Sequence, residues 1–260
     1  MRMGGGMRKN CHVYELFFLA ACCLCFFGCG LESTYVLYEP IGGHSSTYST
    51  IITEEKYFEF YTEENKNAIN PPPFKFLGTA VYYKIYNRYE PINSVASALS
   101  SANNSSDPSS AAKLLKDTYK YRQLGTDSGM GTPLIVSTGT NRHIYIRVSN
   151  YQNDARYQAK IIVGYTGDSS VSPTNVPKRA GNRYSFDFGR DGDNDKASKT
   201  LFSTDTDYDY SSSGFSSGYD DTYFVDMYAV SVGRDENYTE QYSKVLHLGT
   251  VPINALSKDN

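Results

Sequence analysis

A short apolar run near the start of the chain constrains the protein most. Leu16–Phe27 is twelve residues long and uncharged, Arg8 and Lys9 precede it, and the small residue Gly28 follows it. A helix that crosses a bilayer needs about 20 apolar residues, so this run is too short to remain as a span. A basic flank, a short apolar core and a small residue at its end predict an export signal over residues 1–28. Either Met1 or Met7 can serve as the start of translation.

The cysteine after this run predicts lipidation as well as export. Phe26–Cys29 resembles the lipobox of bacterial lipoproteins, in which the cysteine thiol takes a diacylglyceryl group and the preceding peptide bond is then cut. The resemblance implies a lipid anchor on Cys29. Leu19–Cys22 is an alternative lipobox and would make Cys22 the acylated residue. We prefer Cys29 because the apolar core before it has the usual length of a signal.

The composition of the exported part excludes several kinds of site. All five cysteines lie at or before residue 29, so the exported chain has no thiol for a disulfide or a thiolate site. Loss of residues 1–28 removes three basic side chains and one acidic one, which changes the net charge from −3 to about −5. A nucleic-acid partner needs a basic surface, so none is expected.

Tyrosine content and alternating patterns predict an all-β fold. The chain has 24 Tyr, 21 Gly and no Trp. Tyr suits half-buried strands because it joins an apolar ring to a polar hydroxyl, and Thr79–Tyr86 alternates as a strand should. We therefore expect an antiparallel β-sandwich over residues 51–260, either one expanded sandwich or two small domains, with residues 29–50 as a lipidated tether.

The hydrophobic period changes between about residues 92 and 125, which predicts an insertion of two short helices. Ile92, Val95, Ala96 and Leu99 follow the spacing of an amphipathic helix. Asp107-Pro108 is a typical helix start, and Gly125 is expected to end that second helix.

Two later segments have contrasting patterns. Arg183–Phe188 alternates and predicts a strand. Asp205–Asp221 is rich in Ser, Asp and Gly, has little to bury and predicts a mobile acidic loop.

The C-terminal part resembles a known domain family. Tyr223-x-Val225-x-Met227 resembles the penultimate strand of fibronectin type III domains, and Ser243–Leu248 resembles their last strand. Upstream, the order Tyr61, Pro71–Pro73, Gly78 and Val81–Tyr83 resembles the second and third strands of that family. The resemblance implies a fibronectin type III-like or immunoglobulin-like sandwich, although the tryptophan of the family is missing.

A second resemblance concerns the compartment. The segments Cys29–Glu32 and Gly78–Asn87, together with the Tyr-rich C-terminal hairpin, resemble lipoproteins of treponemes. That resemblance implies the cell envelope and lipidation, and it implies no activity.

Few residues are candidates for chemistry. Asp191, Asp193 and Asp195 alternate as in a calcium loop without its later ligands, and Asp205, Asp207 and Asp209 repeat the spacing, so both are candidates only for a weak calcium site. Ser110–Lys113 matches S-x-x-K, but the other motifs of penicillin-binding enzymes are missing from the sequence. We expect no cofactor, no other metal site and no enzymatic activity.

Tyrosines are the remaining candidates for ligand binding, because Tyr buries a large area at low entropic cost. Core and edge packing is the more common role of strand tyrosines. The tyrosines considered for an aromatic binding face are Tyr35, Tyr38, Tyr82, Tyr86, Tyr208, Tyr210 and Tyr219.

Together these features predict a non-catalytic lipoprotein of the bacterial cell envelope. Its acylated Cys29 would hold it in a bilayer, at the cell surface or on the periplasmic side, and its domain would serve adhesion, ligand binding or scaffolding with a protein or glycan partner. The alternative is a carbohydrate-binding module or a glycan-active envelope protein, because sugar sites combine aromatic rings with carboxylates. A calcium-stabilised structural domain is a third interpretation.

Overall fold

The computed structural model describes residues 35–128, 133–151, 155–168, 175–181, 183–188 and 201–254. The chain from Val36 onward forms one compact unit. Within the described residues the strands are β1 (Ile41–Gly42), β2 (Phe58–Tyr61), β3 (Lys75–Tyr86), β4 (Arg122–Gln123), β5 (Gly125–Thr126), β6 (Ile135–Val136), β7 (His143–Arg147), β8 (Lys160–Val163), β9 (Pro177–Lys178), β10 (Tyr208–Asp209), β11 (Thr222–Arg234) and β12 (Glu240–Asn254).

Helices make up a smaller part of the described chain. The α-helices are α1 (Glu64–Asn67), α2 (Glu90–Asn103) and α3 (Ser110–Lys113), which a π-helical turn over Leu114–Thr118 continues. Single 3-10 turns occur at Thr53–Glu55 and Ala155–Tyr157. None of the described helices is both long and apolar enough to cross a bilayer.

The strands form two main sheets. One sheet has four antiparallel strands in the order β1-β2-β7-β8. The larger sheet is built on the antiparallel strands β3, β11 and β12, and β10 adds to β3 in parallel. Short strands β4 and β6 also pair with β3, and β5 pairs with β9 in a separate ribbon. The predicted all-β class is confirmed.

The two main sheets share one hydrophobic core. Phe58 and Ile144 from the four-stranded sheet belong to the same buried cluster as Val81, Met227 and Val251 from the larger sheet. Alternation along the strands explains this arrangement, because successive side chains point to opposite faces of a sheet. The side chains that enter this core are Phe58 and Phe60 of β2, Val81, Tyr83 and Ile85 of β3, Ile144 and Ile146 of β7, and Val225, Met227 and Ala229 of β11.

The helices cover the other face of the larger sheet. Ile92, Val95 and Leu99 of α2 are buried in a second cluster with Tyr82 of β3 and Tyr228 of β11. The predicted helical insertion occurs, and its first helix has the expected buried stripe. The second helix ends earlier than expected: it stops by Thr118, Lys120 adopts a positive φ of 59°, and Gly125 lies in β5.

Side chains from the insertion close the free edge of β12. The Asn103 amide donates to the Val245 carbonyl and accepts from the Val245 N–H, both at 2.9 Å. The Ser109 hydroxyl makes the same two contacts with Tyr242, both at 3.1 Å. These side chains replace a neighbouring strand, so backbone groups that would attract another chain are already bonded.

The segment Asp205–Asp221 is anchored to the domain, in contrast to the predicted mobile loop. Asp207 accepts two hydrogen bonds from the buried Arg179 guanidinium, at 2.7 and 2.9 Å, and one from the Tyr83 hydroxyl at 2.7 Å. The Asn87 amide donates to the carbonyls of Ser211 and Gly214, both at 2.9 Å. These distant polar partners hold the segment together with Tyr208, which is buried in the core.

Residues 36–50, which the sequence assigns to the tether, pack on the domain. Ile41 and Gly42 pair with β2 as strand β1, and Ser46 forms a β-bridge with Gly249 of β12. The Tyr48 ring stacks on Tyr89 with the ring centroids 4.2 Å apart. The signal region, Cys22 and Cys29 lie outside the described residues.

Candidate functional site

A cleft of about 660 Å³ lies beside β3, and we call it the β3 cleft. Its apolar wall includes Leu77 and Ala80 of β3 and Val232 of β11. Its polar lining comes from the turn after α3, from β4 and from the start of β12. The ionisable lining residues are Tyr82, Lys116, Asp117, Tyr121, Arg122 and Glu240.

One side of the β3 cleft is a fixed hydrogen-bonded triad. The Lys116 ammonium donates to the Tyr242 hydroxyl, which donates to the Glu240 carboxylate. Lys116 Nζ also lies 3.7 Å from Glu240 Oε2 and 4.2 Å from the centroid of the Tyr242 ring. The helical turn and β12 are thereby joined at the rim, and the positions of Lys116 and Glu240 are set relative to each other.

The tyrosines of the cleft remain protonated at neutral pH. Burial, together with the nearby carboxylates Glu240 and Asp117, raises the pKa of Tyr82. Burial and the hydrogen bond to Glu240 raise the pKa of Tyr242. Tyr82, Asp117 and Glu240 all line the β3 cleft. A ligand in the β3 cleft would therefore meet a neutral phenol beside two carboxylates.

Two charged side chains that line the β3 cleft have no hydrogen-bond or ion-pair partner among the described residues. Asp117 and Arg122 are exposed, and among the described residues neither side chain makes a hydrogen bond or an ion pair. The cleft can thus offer a carboxylate and a guanidinium to a ligand without breaking an internal contact. Cavities of this size with a few polar groups on an apolar wall are typical of small-molecule sites.

A second surface is a row of six aromatic rings on the outer face of the four-stranded sheet. Neighbouring ring centroids along this row are 4.0, 4.8, 4.9, 5.0 and 4.1 Å apart. Its members, in spatial order, are His44, Tyr57, Tyr145, Tyr165, His143 and Tyr61. We call this surface the aromatic row.

The rings of the aromatic row mostly face one another. Three of the five contacts are stacked, with interplanar angles of 16–25°. Ring faces are therefore largely covered, and ring edges are left for solvent. A flat platform for sugar stacking needs exposed ring faces, so the geometry of this row favours a packing role.

A carboxylate lies within the aromatic row. His143 Nε2 is 2.5 Å from Glu59 Oε1. Burial and the charges of Glu59 and Glu55 raise the pKa of Tyr57 to about 12. Burial and Glu59 likewise raise the pKa of Tyr165. The row thus has carboxylates beside both of its histidines, Glu59 at His143 and Glu55 at His44.

The helix-covered face of the larger sheet contains a buried polar network. The Asp226 carboxylate is fully buried and accepts from the Tyr121 hydroxyl and the Thr250 hydroxyl, each at 2.6 Å. His247 Nε2 lies 2.8 Å from the same carboxylate. Burial lowers the pKa of His247, but the charge of Asp226 and this hydrogen bond outweigh it and raise the pKa. All the partners of Asp226 are internal, which is typical of a structural network.

The tyrosines considered for an aromatic binding face do not form one face, although the rings of Tyr208 and Tyr210 lie edge-on at 5.9 Å. Tyr82 and Tyr86 are buried under the helices, whereas Tyr38 and Tyr210 are exposed. Tyr219 packs edge-on against the rings of Tyr48 and Tyr89, at 6.3 and 5.6 Å. Of the seven tyrosines considered for a binding face, only Tyr82 lines the β3 cleft.

The structure describes only one of the two acidic triplets that were candidates for a calcium site. Asp191, Asp193 and Asp195 lie outside the described residues. In the second triplet Asp207 is paired with Arg179 and Asp209 with Lys84, the latter at 2.7 Å, so these carboxylates are already neutralised. No cluster of three or more metal-binding side chains occurs in the part of the chain that the structure describes.

The S-x-x-K motif has a simple structural explanation. Its residues form α3, and Lys113 is paired with Asp107 at 3.0 Å. Ser110 is not among the residues that line the β3 cleft.

Sequence reasoning missed the polar lining of the β3 cleft. Lys116 and Asp117 fall inside the predicted second helix, and Glu240 precedes the predicted last strand. One local signal existed, because Glu240 and Tyr242 share a strand face at spacing two. Their meeting with Lys116 depends on how α3 packs against β12, which local patterns do not encode.

Comparisons of the chain with protein-family models, with curated proteins and with solved structures found no match.

Proposed function

We propose that the protein is a lipid-anchored, non-catalytic component of a bacterial cell envelope whose exported domain binds a small polar ligand or the polar tip of a larger partner in the β3 cleft. Adhesion and scaffolding are the expected uses of such binding. The observation that carries the proposal is the β3 cleft itself, with an uncommitted Asp117 and Arg122 beside an apolar wall.

The proposed domain type is a fibronectin type III-like or immunoglobulin-like sandwich with a helical insertion. Strand order supports this proposal: β3, β11 and β12 are neighbours, as the third strand and the last two strands of such domains are. The pairing of β2 with β7 in the opposite sheet fits the second and fifth strands of that scheme, whereas β8 departs from it because it follows β7 in the chain. The shared core of the two sheets supports it further.

Binding in the β3 cleft is tested by removing its free charges. The purified full chain is screened against envelope proteins, host matrix proteins and glycans, and every hit is measured again with Asp117→Ala and Arg122→Ala. We expect at least one of these variants to weaken binding about tenfold or more, as loss of a charge-assisted hydrogen bond does. Glu236→Ala and Lys75→Ala are the matched controls, because both side chains are exposed and do not line the cleft. A ligand whose affinity is the same for all four variants would exclude the cleft.

The anchor is tested by two serine substitutions in the intact precursor. We expect Cys29→Ser to abolish acylation and to release the protein from membranes, whereas Cys22→Ser leaves both unchanged. Metabolic labelling with a fatty acid and detergent partitioning measure these outcomes. Acylation and membrane retention that survive Cys29→Ser would refute the anchor at that residue.

The second candidate function is a carbohydrate-binding or glycan-active envelope protein. The observation that favours it is that Tyr82, Asp117 and Glu240 all line the β3 cleft, which therefore combines a phenol with two carboxylates. Glycan-array binding that is lost in Tyr82→Ala and Glu240→Gln, but kept in Tyr61→Ala on the aromatic row, would support it. Turnover of a bound glycan would additionally contradict the non-catalytic proposal.

A further inference from the structure

Three exposed apolar side chains gather where the compact unit begins. Val36, Tyr38 and Ile69 are 52 %, 42 % and 77 % exposed. The two segments that carry them are in contact, because the Asn70 amide donates to the Val36 carbonyl at 3.0 Å. We call these three residues the N-terminal patch.

The N-terminal patch is held rigidly on the domain. The fully buried Asn67 accepts from the Tyr38 N–H at 2.7 Å and donates to the Tyr38 carbonyl at 3.0 Å. The same amide donates to the Ser231 hydroxyl of β11 at 3.2 Å. The patch is therefore fixed to the larger sheet, although its side chains are exposed to solvent.

The chemistry of the N-terminal patch suits a bilayer surface. Lys66 Nζ lies 5.5 Å from the centroid of the Tyr38 ring, and most of its side chain is exposed. Tyr is enriched at the level of lipid headgroups, where its ring and hydroxyl meet different surroundings. Lys66 is paired with Glu63 at 2.5 Å. At the bilayer its ammonium would exchange this carboxylate for lipid phosphates while its methylene chain covers apolar surface.

The length of the tether brings this patch to the membrane. The sequence predicts a spacer up to residue 50, but the compact unit already begins at Val36. Seven residue steps separate Val36 from Cys29, and a fully extended chain of that length spans at most about 25 Å. We propose that the N-terminal patch docks on the surface of the bilayer that holds Cys29, an inference that rests on the proposed acylation.

Single-cysteine labelling of the acylated chain tests this docking. The mature sequence has no thiol besides Cys29, so Ile69→Cys introduces one labelling site. The labelled lipoprotein is reconstituted in vesicles of phosphatidylcholine and phosphatidylglycerol that contain nitroxide-bearing lipids. Tyr238→Cys is the matched control, because Tyr238 is 80 % exposed and lies in the turn between β11 and β12.

We expect the label at position 69 to be quenched at least about twofold more than the label at 238, since the headgroup region holds docked apolar side chains. The double substitution Val36→Ser and Tyr38→Ser should reduce this difference without releasing the protein from vesicles. Equal quenching of both labels in vesicle-bound protein would overturn the docking proposal alone. Disulfide-linked dimers through position 69 without lipid quenching would identify a second copy as the occupant and would also overturn it. Wild-type protein that does not co-float with vesicles would instead count against the anchor.

Discussion

The outer faces of the two sheets use tyrosine in different ways. On the larger sheet, helices cover Tyr86 and Tyr121, and the hydroxyls bond in series: Tyr86 donates to Tyr121 at 3.1 Å, and Tyr121 donates to Asp226 at 2.6 Å. On the four-stranded sheet, Tyr61 is 41 % exposed and stacks on His143. On the covered face these two hydroxyls are satisfied by a built-in acceptor, whereas the exposed Tyr61 can leave its hydroxyl to water.

The largest expected effect comes from removing the acceptor of the covered face. Asp226→Ala should lower the free energy of unfolding by about 3–5 kcal/mol, because a buried polar network loses the group to which its donors bind. Urea denaturation of the purified domain measures the loss. Asp226→Asn keeps the shape and should cost less. A loss below about 1 kcal/mol for the alanine variant would show that the network is not needed for stability.

A matched pair of hydroxyl deletions separates bonded from unbonded tyrosines on that face. Tyr121→Phe removes a hydrogen bond to a carboxylate and should destabilise the fold by about 1.5–3 kcal/mol. The buried Tyr228 hydroxyl has no hydrogen-bond partner among the described residues, so Tyr228→Phe should be neutral or stabilising by up to about 1 kcal/mol. Equal losses in the two variants would contradict the distinction.

Side chains of the helical insertion bond to the edge of β12, next to the face of the larger sheet that the helices cover. Asn103→Ala should destabilise the domain by about 1–3 kcal/mol, because the Val245 N–H and carbonyl lose their partners. It should also promote self-association, since a strand edge becomes free. Urea denaturation and light scattering measure the two effects. Asn104→Ala is the control, because its amide bonds only within α2.

The open face should tolerate change better. Tyr61→Ala should lower the unfolding free energy by only about 0.5–1.5 kcal/mol, the value of one stacked pair at a partly exposed site. Urea denaturation, carried out beside the Asp226 variants, makes the comparison direct. A loss as large as that of Asp226→Ala would mean that the aromatic row is part of the core.

The smallest expected effect is a pH dependence at the border of the covered face. The pKa of His247 is raised above 6.5 in the folded protein, so its pairing with Asp226 stabilises the fold fully below that pH. This contribution should fade as the pH rises through the raised pKa. Urea midpoints measured across that range should show the decline in wild type and a shallower one in His247→Gln. Identical slopes would exclude His247 as the source.

Strand and helix patterns predicted much of the scaffold. The alternation in Thr79–Tyr86 lies within β3, and the stripe at Ile92, Val95 and Leu99 is the buried face of α2. Both patterns report burial on one side of an element, which is a local property.

Pairing between distant segments was not predictable in the same way. Phe186 and Phe188 are buried, as their alternation indicates, yet Arg183–Phe188 is not a strand, and the β-bridge from Tyr184 to Arg179 is its only β-pairing among the described residues. Alternation predicts which side chains are buried, but a strand also needs a free neighbouring edge. The anchoring of Asp207 by Arg179 and the lining of the β3 cleft were not predicted for the same reason. Each brings together residues that are far apart in sequence.

The way β12 is bordered also matters for how the molecule is made. β12 is the last strand among the described residues. Asn103 and Ser109 precede their partners Val245 and Tyr242 in β12 by 142 and 133 residues. Because the chain is made from its N-terminus, the helices are present before the strand that they border. Donors and acceptors of the same molecule can therefore bond to β12 as soon as it forms, which leaves neighbouring chains little time to pair with its edge.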